Sequence, residues 1–513
     1  MASKVYRTAL ITLISSLLVH ALFAQTIRYV SDLDQVLRNL DSIDSPGLFR
    51  SSFGENAKPL EVTAKAPRLE LKPAETLITY NLTFPYGNND GALWQGVGVN
   101  AMLRAGAELS WAWGSLTVQP EWWVAQNLAY PMAPSAGATP YQDYWYDLDR
   151  LQAFGSAAYN SFSFGQSELR LEYSGFTLGF GTKNHKFGPA EIQNLLLSDN
   201  ASGFPMLDIG TDGPYRTAYG AFDARLFWGQ TSTSGFYNAD GSIDRRLLTG
   251  GLVSYAAPFL PGMSFGFQRV FHSPWATMDA WKVFQFFDDT VWKWSRTLDN
   301  STDLVADDID QILSFTWEWR VPQTGSRAYV EWGRNDHAGD LSDFLMQPDH
   351  SMGYVAGLQQ KVIFAPDAQI LISFEIADIG NTIGTTLRPT GSWYRHPATF
   401  GGYTNDGQLL GAYMGPGSNM QELDIYYRGS SFFAGLGLQR WIFDADYYYQ
   451  PGVNRGSSQN YNLLLSASLR AGIALERLEF GGSITYNDNL NRNFIQANTM
   501  INVHLELSAK AKL

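Results

Sequence analysis

Residues Val99–Trp113 read VNAMLRAGAELSWAW, and their alternation decides the fold. Every odd-numbered position is apolar, whereas Arg104 and Glu108 fall on even-numbered positions. A period of two over this length is typical of a β-strand with one apolar face. The Gly-Ser pair at 114–115 then predicts a tight turn, and a second alternating stretch returns directly after it.

The same alternation recurs along the chain, and it distinguishes a membrane barrel from a soluble sandwich. It is found in 169–181, 313–320, 370–376, 463–476, 478–487 and 501–513. Half-buried strands of a soluble sandwich also alternate. Long strands with aromatic residues near their ends, such as Trp111, Trp113, Trp317 and Trp319, favour a membrane wall with interfacial girdles. In lipid, every backbone group must be paired, so the predicted sheet closes on itself.

The turns predict the size of this barrel. Tight turns are expected near Gly114, Ser174, Pro261, Thr324, Pro366, Gly429 and Glu476. With the less clear strands, this gives roughly 16 to 18 strands of about 10 residues each, 18 being favoured. The fold class is therefore all-β, a transmembrane antiparallel β-barrel whose long loops are extracellular.

The N-terminal part divides into two predicted segments before the barrel. Lys4 and Arg7 precede an apolar run that ends near Ala24, so 1–24 is expected to be a signal peptide. A membrane anchor is the alternative, but the run is shorter than the ~20 residues of a spanning helix. Residues 25–75 are expected to be a short periplasmic segment, and 76–513 the barrel.

One helix is predicted inside that periplasmic segment. Ser31-Asp32 can cap a helix with Leu33, Val36, Leu37 and Leu40 on one face. The alternative for this stretch is a solvated linker.

The composition excludes several classes of protein. The chain has 513 residues, no cysteine, 14% aromatic and 17% charged residues, and a net charge of −13. The missing thiols exclude a disulfide scaffold and a thiolate metal site. The acidic balance argues against a nucleic-acid partner, and the aromatic content argues against disorder.

Catalytic and metal motifs are weak. Gly262–Gly266 fits G-x-S-x-G, but it lies within a strand pattern, whereas a nucleophile elbow needs a strand–turn–helix context. Asp307, Asp308 and Asp310 offer oxygen ligands for calcium, but an acidic solvated loop is the favoured interpretation. We therefore predict no enzyme, no cofactor and no metal.

Four segments combine aromatic and polar residues more densely than plain connections do: Asn88–Asn100, Leu195–Thr217, Tyr329–Asp336 and Trp393–Asn419. A sugar needs an apolar ring against its C–H face and amides or charges for its hydroxyls. The candidate polysaccharide-binding residues are Trp94, Gln95, Tyr215, Arg216, Trp332, Arg334, Asn335, Trp393, Tyr394, Arg395, His396, Tyr403 and Gln408. The alternative for each is barrel packing.

These four segments, in this order, resemble the Wzi family of outer-membrane capsule-assembly proteins. The resemblance implies an eighteen-stranded barrel in the outer membrane that acts as a lectin for capsular polysaccharide and holds exported polymer on the cell surface. It implies an occluded lumen, no enzymatic activity and a periplasmic helical bundle, of which 25–75 offers one helix. The expected partners are capsular polysaccharide or exopolysaccharide, outer-membrane lipids and the capsule export machinery, and the protein itself is expected to be a monomer.

A second function remains open at this point. A diffusion channel, such as a porin for small solutes, would share the same wall pattern. An outer-membrane hydrolase is a third and less favoured hypothesis. An open or a filled lumen distinguishes the channel from the lectin.

Overall fold

The structure is a computed structural model that describes residues 27–43, 49–51, 66–287, 309–335, 345–382, 390–397, 399–450 and 460–512. The expected signal peptide at 1–24 and the acidic pair Asp307 and Asp308 lie outside these residues.

Within the described ranges, eighteen strands form one closed antiparallel barrel, as predicted. They are β1 Arg68–Asn81, β2 Gly98–Trp111, β3 Gly114–Val118 with Glu121–Ala125, β4 Tyr159–Ser163 with Glu168–Tyr173, β5 Phe176–Gly181, β6 Met206–Thr211 with Tyr215–Thr217, β7 Gly220–Ser232, β8 Arg245–Ala256, β9 Met263–Pro274, β10 Asp310–Val321, β11 Ser326–Asn335, β12 Met352–Ala365, β13 Ala368–Asp378, β14 Asn419–Arg428, β15 Phe432–Ile442, β16 Leu463–Ala474, β17 Leu478–Leu490 and β18 Met500–Ala511.

Each strand pairs with its neighbours in the chain, and β18 pairs with β1 to close the wall. Ala74 lies opposite Ala511 at one end of this closing pair, and Asn81 lies opposite His504 at the other. The barrel begins at Arg68 rather than near residue 76. The register of β1 against β2 shifts beside Pro73, whose ring nitrogen cannot donate a ladder hydrogen bond.

The two ends of the barrel differ in their connections. All seven predicted tight turns are confirmed, and they lie together at one end, which we call the short-turn end. The opposite, long-loop end carries the connections 82–97, 126–158, 182–205, 233–244, 275–309, 336–351, 379–418, 443–462 and 491–499. In outer-membrane barrels the short turns are periplasmic and the long loops extracellular.

The two faces of the wall follow the alternation of the sequence. On β2, Val99 and Leu103 point outward and are 49% and 46% exposed, while Asn100 and Arg104 point inward and are 0% and 2% exposed. Arg104 is held by Glu121 on the neighbouring strand, with its Nη2 2.7 Å from Oε1. The outer face of this strand is therefore apolar, as contact with lipid requires, and these inward residues of β2 are polar and buried.

A helix, α1 Val30–Asp41, lies inside the barrel at the short-turn end. Its predicted apolar face is confirmed, because Leu33, Leu37 and Leu40 are buried against inward side chains of the wall such as Leu371 and Phe433.

Ion pairs fix this helix to the wall. Asp34 accepts from Arg428 at 2.7 and 3.0 Å, and Asp41 pairs with Lys361. Residues 30–41 of the N-terminal segment thus occupy the lumen as a single helix.

The remaining elements are short. They are the 3₁₀ turns Trp275–Thr277 and Arg492–Phe494, the helices α2 Ala280–Val283, α3 Gln285–Phe287 and α4 Ala445–Tyr448, and the paired strands Phe49–Ser51 with His185–Phe187 and Thr404–Asn405 with Gln408–Leu409. Among the described residues, no helix has the length and apolar character needed to cross a bilayer.

Candidate functional site

Two connections of the long-loop end fold back into the barrel and fill its lumen. We call residues 183–205 and 390–418 together the plug. Leu195 and Leu410 of the plug share one buried core with inward side chains of the wall such as Phe227 and Val355. The two parts of the plug also bond to each other, since the Ser198 amide donates to the Leu410 carbonyl at 2.9 Å.

Glu375 of β13 anchors the first part of the plug. Its carboxylate accepts three consecutive backbone amides, from Glu191 at 2.9 Å, Ile192 at 3.2 Å and Gln193 at 2.7 Å. It also accepts the hydroxyl of Tyr329 at 2.5 Å. Glu375 is 1% exposed, so these four donors satisfy a carboxylate that water does not reach.

Arg246 of β8 anchors the second part. Its guanidinium donates to the carbonyls of Phe400 at 3.0 Å, Gly402 at 2.7 Å and Thr404 at 2.9 Å. Arg246 is 1% exposed. A planar guanidinium can donate to several carbonyls at once, so this single side chain fixes the course of the chain just before the short hairpin of the plug.

The predicted aromatic residues of the Trp393–Asn419 segment lie inside the plug. Trp393, Tyr394 and Tyr403 are each 0% exposed. Trp393 Nε1 donates to the Ser351 carbonyl at 3.1 Å, and Tyr394 stacks on Tyr403 with 5.7 Å between ring centroids. The hydroxyl of Tyr394 donates to the Leu195 carbonyl at 2.9 Å. In this conformation the three rings pack the plug and do not face solvent.

Arg395 lies nearer the surface and is paired. Its guanidinium forms a two-pronged contact with the carboxylate of Asp147 at 2.8 and 2.9 Å and lies 3.4 Å from the ring centroid of Trp145. His396 beside it is half-buried, and Gln408 lies in the short hairpin of the plug. Arg395 therefore joins the plug to the 126–158 loop.

The Asn88–Asn100 segment places its two candidates at different depths. Trp94 is half-buried, and its Nε1 donates to the Asn127 side chain at 3.3 Å. Gln95 is 4% exposed and donates to the carboxylate of Asp90 inside the lumen.

Three further candidates lie away from the plug. Tyr215 and Arg216 are exposed at the short-turn end, opposite the other candidates, because β6 carries the chain across the wall. Trp332 points outward from β11, with its ring centroid 6.0 Å from that of Phe315, in the lipid-facing surface.

The last two candidates end β11 at the long-loop end. Arg334 and Asn335 are buried, and the amide of Asn335 donates to the Ser351 carbonyl at 3.0 Å. The same carbonyl accepts a hydrogen bond from Trp393, so Asn335 helps to hold the residue on which the plug rests.

A second group of aromatic residues lies at the mouth of the barrel, and sequence reasoning missed it. We call it the aromatic cluster; its members are Tyr144, Tyr447, Tyr448, Tyr449, Tyr461 and Phe494. Three different long loops contribute these rings. Tyr144 stacks on Tyr447 with 4.0 Å between centroids, and Tyr448 lies 4.6 Å from Tyr461. Tyr449 is 63% exposed, and four of the other rings are half-buried, so the cluster has an accessible face.

Asp444 holds this cluster in place. It caps α4 by accepting the amide of Tyr447 at 2.9 Å, and it accepts Nε1 of Trp145 at 2.6 Å. Its backbone has φ of 37°, a left-handed conformation that Asp tolerates at turns. Burial raises the pKa of Asp444 to about 7. This carboxyl therefore titrates near neutral pH between two of the loops that form the cluster.

Polar groups border the exposed rings. The Asn491 side chain accepts the amide of Ala497 at 3.0 Å, and the Asn498 side chain donates to the Arg492 carbonyl at 3.0 Å. Arg150 pairs with Asp143 at 2.6 Å next to the first of the stacked tyrosines. The arrangement offers apolar rings beside amides and a guanidinium, which is the combination that a sugar-binding site requires. The run DYYYQ at 446–450 is the sequence signal that would have pointed here.

One group in the described residues has the donor types of a metal site. Ligand atoms of Glu168, His185 and Asp208 lie within 4.8 Å of one another. The Arg170 guanidinium lies among them, 2.6 Å from Glu168 and 3.0 Å from Asp208, and Arg225 also pairs with Asp208. Two guanidinium groups already neutralise these carboxylates, so the group does not fit a cation. Ser264 of the G-x-S-x-G pattern lies within β9.

No protein-family model matches the chain, and no curated protein matches it. Among solved structures, the chain is similar to Wzi of Escherichia coli, described as an outer-membrane protein involved in group 1 capsule assembly and as a carbohydrate-binding β-barrel. The two are 11% identical, the match covers 85% of this chain and 84% of that one, and the TM-score is 0.56. OprD of Pseudomonas aeruginosa matches at 8% identity, covering 91% and 97% of the chains, with a TM-score of 0.41.

A BenF-like porin of Pseudomonas fluorescens matches at 7% identity, covering 87% and 99% of the chains, with a TM-score of 0.43. At these identities the likeness to Wzi shows a shared fold. The predicted fold and location are thereby confirmed: this protein is an outer-membrane β-barrel.

Proposed function

We propose that this barrel binds a capsular polysaccharide or exopolysaccharide through its extracellular loops and holds the polymer at the cell surface. The observation that carries the proposal is the aromatic cluster, an accessible group of rings at the mouth of a barrel whose lumen is filled. Rings of this kind present a large rigid surface at low entropic cost, which makes tyrosine a frequent anchor in binding sites.

The plug favours binding over permeation. A solute that diffused through the barrel would have to displace the 183–205 and 390–418 segments, whose anchors are buried carboxylate and guanidinium contacts. The helix α1 would obstruct the same path at the short-turn end. We therefore prefer the surface lectin to the porin.

The similarity to Wzi supports the same proposal at a coarser level. That protein is described as a carbohydrate-binding barrel involved in capsule assembly. We extend the proposal to a place in capsule assembly, with the export machinery as a partner and a monomeric barrel as the working unit. The polymer is held without being cleaved.

Of the original candidates, Arg395 and His396 lie nearest the mouth and stay in the proposed site. Trp393, Tyr394 and Tyr403 support it from beneath, through the contact of Arg395 with Trp145. The exposed ring of Tyr449 and the half-buried ring of Tyr447 are the proposed contacts with sugar.

The test measures polysaccharide retention. Deletion of the gene, followed by separate assay of cell-bound and released polymer, is expected to move polymer into the medium. The double variant Tyr447→Ala/Tyr449→Ala should do the same while the barrel folds normally. Tyr173→Ala, which removes an 85% exposed tyrosine at the short-turn end, is the matched control and should retain polymer.

Purified protein gives the second readout. Loss of one anchoring ring should weaken binding of the purified polymer by about tenfold, equivalent to roughly 1.4 kcal/mol. Polymer recovered from the complex should keep its chain length. Unchanged cell-bound polymer after deletion would contradict the proposal, and steady single-channel conductance of the unaltered protein in planar bilayers would favour the porin.

A further inference from the structure

The outer surface of the barrel departs from its regular pattern at one place. Near the long-loop ends of β8 and β9, side chains on both faces of the wall are buried. Thr249 and Phe271 point outward yet are only 2% exposed. Closer to the short-turn end of the same strands, Val253 and Phe265 also point outward and are each 42% exposed. Another part of the protein therefore covers the outer face of β8 and β9 near the long-loop end.

The cover is the first part of the 275–309 connection. We call residues 275–287 the elbow. The Val283 carbonyl of the elbow accepts Nε1 of Trp228, an outward side chain of β7, at 2.8 Å. Phe286 lies over Gly251, where a Cβ would come within 2.7 Å of its ring. Glycine at 251 thus permits the close approach of the elbow to the outside of the barrel.

The elbow buries polar groups of the wall beneath it. Arg269 points outward from β9 but is 4% exposed, lies 4.8 Å from the ring centroid of Phe271 and bonds to the side chain of Gln311. Arginine in contact with lipid destabilises a barrel, by an amount that depends on its depth. A protein layer over this patch removes that contact.

The outward side of the elbow exposes three large apolar side chains and one carboxylate, that of Asp279. Met278, Phe284 and Phe287 are 42%, 56% and 40% exposed. The cation of the elbow is turned inward, because Lys282 is 8% exposed and its Nζ donates to the Thr277 hydroxyl at 2.8 Å. The surface is continuous with the lipid-facing belt of the same strands, which Val253 and Phe265 represent.

From this continuity we propose that the elbow is a membrane-contact site. Its exposed Met and Phe side chains lie in the upper part of the outer leaflet and contact acyl chains, while its inner side shields the polar patch of β9. Exposure of these apolar side chains to water is unfavourable, whereas their transfer into lipid is favourable in proportion to the apolar area that is buried. The elbow lies roughly half-way around the barrel from the 491–499 loop of the aromatic cluster, so the proposal is independent of the proposed function.

The absence of cysteine from the chain makes a direct test possible. Phe284→Cys is labelled with a nitroxide in the full-length protein, reconstituted into nanodiscs of outer-membrane lipid. Accessibility to oxygen, which partitions into lipid, is compared with accessibility to a water-soluble nickel chelate. Leu358→Cys, at a 59% exposed position of the outer wall, is the lipid control. Ile243→Cys, at a 57% exposed position of the 233–244 loop, is the aqueous control.

The ratio of oxygen to nickel accessibility at position 284 should be severalfold higher than at 243 and close to that at 358. A ratio at 284 equal to that at 243 would overturn the proposal, as would strong immobilisation with neither reagent admitted, which would indicate a protein or glycan partner. Gly251→Val, which displaces Phe286, should shift the ratio at 284 toward the aqueous value while the heat-modifiable migration of the folded barrel is kept. If the ratio at position 284 does not change in that variant, Phe286 does not pack over Gly251 and the assigned position of the elbow is wrong.

Discussion

Replacement of Glu375 by alanine should release the first part of the plug, residues 183–205, from the wall. The carboxylate is the shared acceptor of three backbone amides of the 183–205 segment and of the Tyr329 hydroxyl. Alanine leaves all four donors without this acceptor in a region that excludes water. Unsatisfied buried groups of this kind carry the full cost of their desolvation.

The magnitude follows from the number and charge of these bonds. A hydrogen bond to a charged group contributes roughly 1.5–3 kcal/mol, and bonds that share one acceptor do not add fully. Loss of one partner from a buried charged network typically costs about 3–5 kcal/mol. A shift of about 4 kcal/mol corresponds to an increase of nearly a thousandfold in the population with the plug displaced.

Planar-bilayer recording measures this directly. The unaltered protein should be closed, and Glu375→Ala should show frequent openings of small conductance, because the 390–418 segment and α1 remain in the lumen. Glu476→Ala removes the same charge from an exposed turn between β16 and β17 and should remain closed. If Glu375→Ala folds and stays as closed as the control, the carboxylate is not the anchor and the reasoning fails.

Three further outcomes are expected. Burial raises the pKa of Asp444 from 3.8 to about 7, so its stabilising contribution is full below about pH 3.8 and is lost as the pH rises through 7. Hydrogen exchange at Tyr447, corrected for intrinsic rates, should therefore slow from pH 8 to pH 5.5, and Asp444→Asn should abolish that difference. Trp393→Ala should destabilise the plug by roughly 3–5 kcal/mol, measured by urea titration of plug protection. Asp34→Ala, which breaks a partly exposed pair with Arg428, should cost about 1 kcal/mol and accelerate tryptic cleavage at Arg38.

The wall of the barrel could be predicted because each strand carries its own evidence. In Val99–Trp113, alternation is a property of neighbouring residues, and lipid on one side imposes it along the part of a strand that faces the membrane. The tight turns could be located for the same reason, since the chemistry of a pair such as that at 114–115 is local. The start of β1 at Arg68 was missed because its first half carries Glu70, Lys72 and Pro73, which obscure the pattern.

The candidate site could be predicted only in part, because burial in a loop depends on contacts that are distant in sequence. Trp393 and Tyr449 are both aromatic residues of long connections, yet one is 0% and the other 63% exposed. What separates them is whether the loop folds into the lumen, which Arg246 and Glu375 decide from remote strands. Tyr215 was placed with the wrong group because β6 carries the chain to the opposite end of the barrel.

A protein that holds a polymer at the cell surface must resist a pull, and the contacts beneath the aromatic cluster suit that task. Trp145 donates to Asp444 below the stacked tyrosines, and the Arg395 guanidinium lies over the same indole while it pairs with Asp147. Arg395 belongs to the plug, which is bound to the wall by Arg246 and, through its other half, by Glu375. A hollow barrel would leave the loops at its mouth supported only at their ends. A filled lumen also supports these loops from below, which is a physical reason why a barrel that binds polymer at its mouth would have a closed lumen.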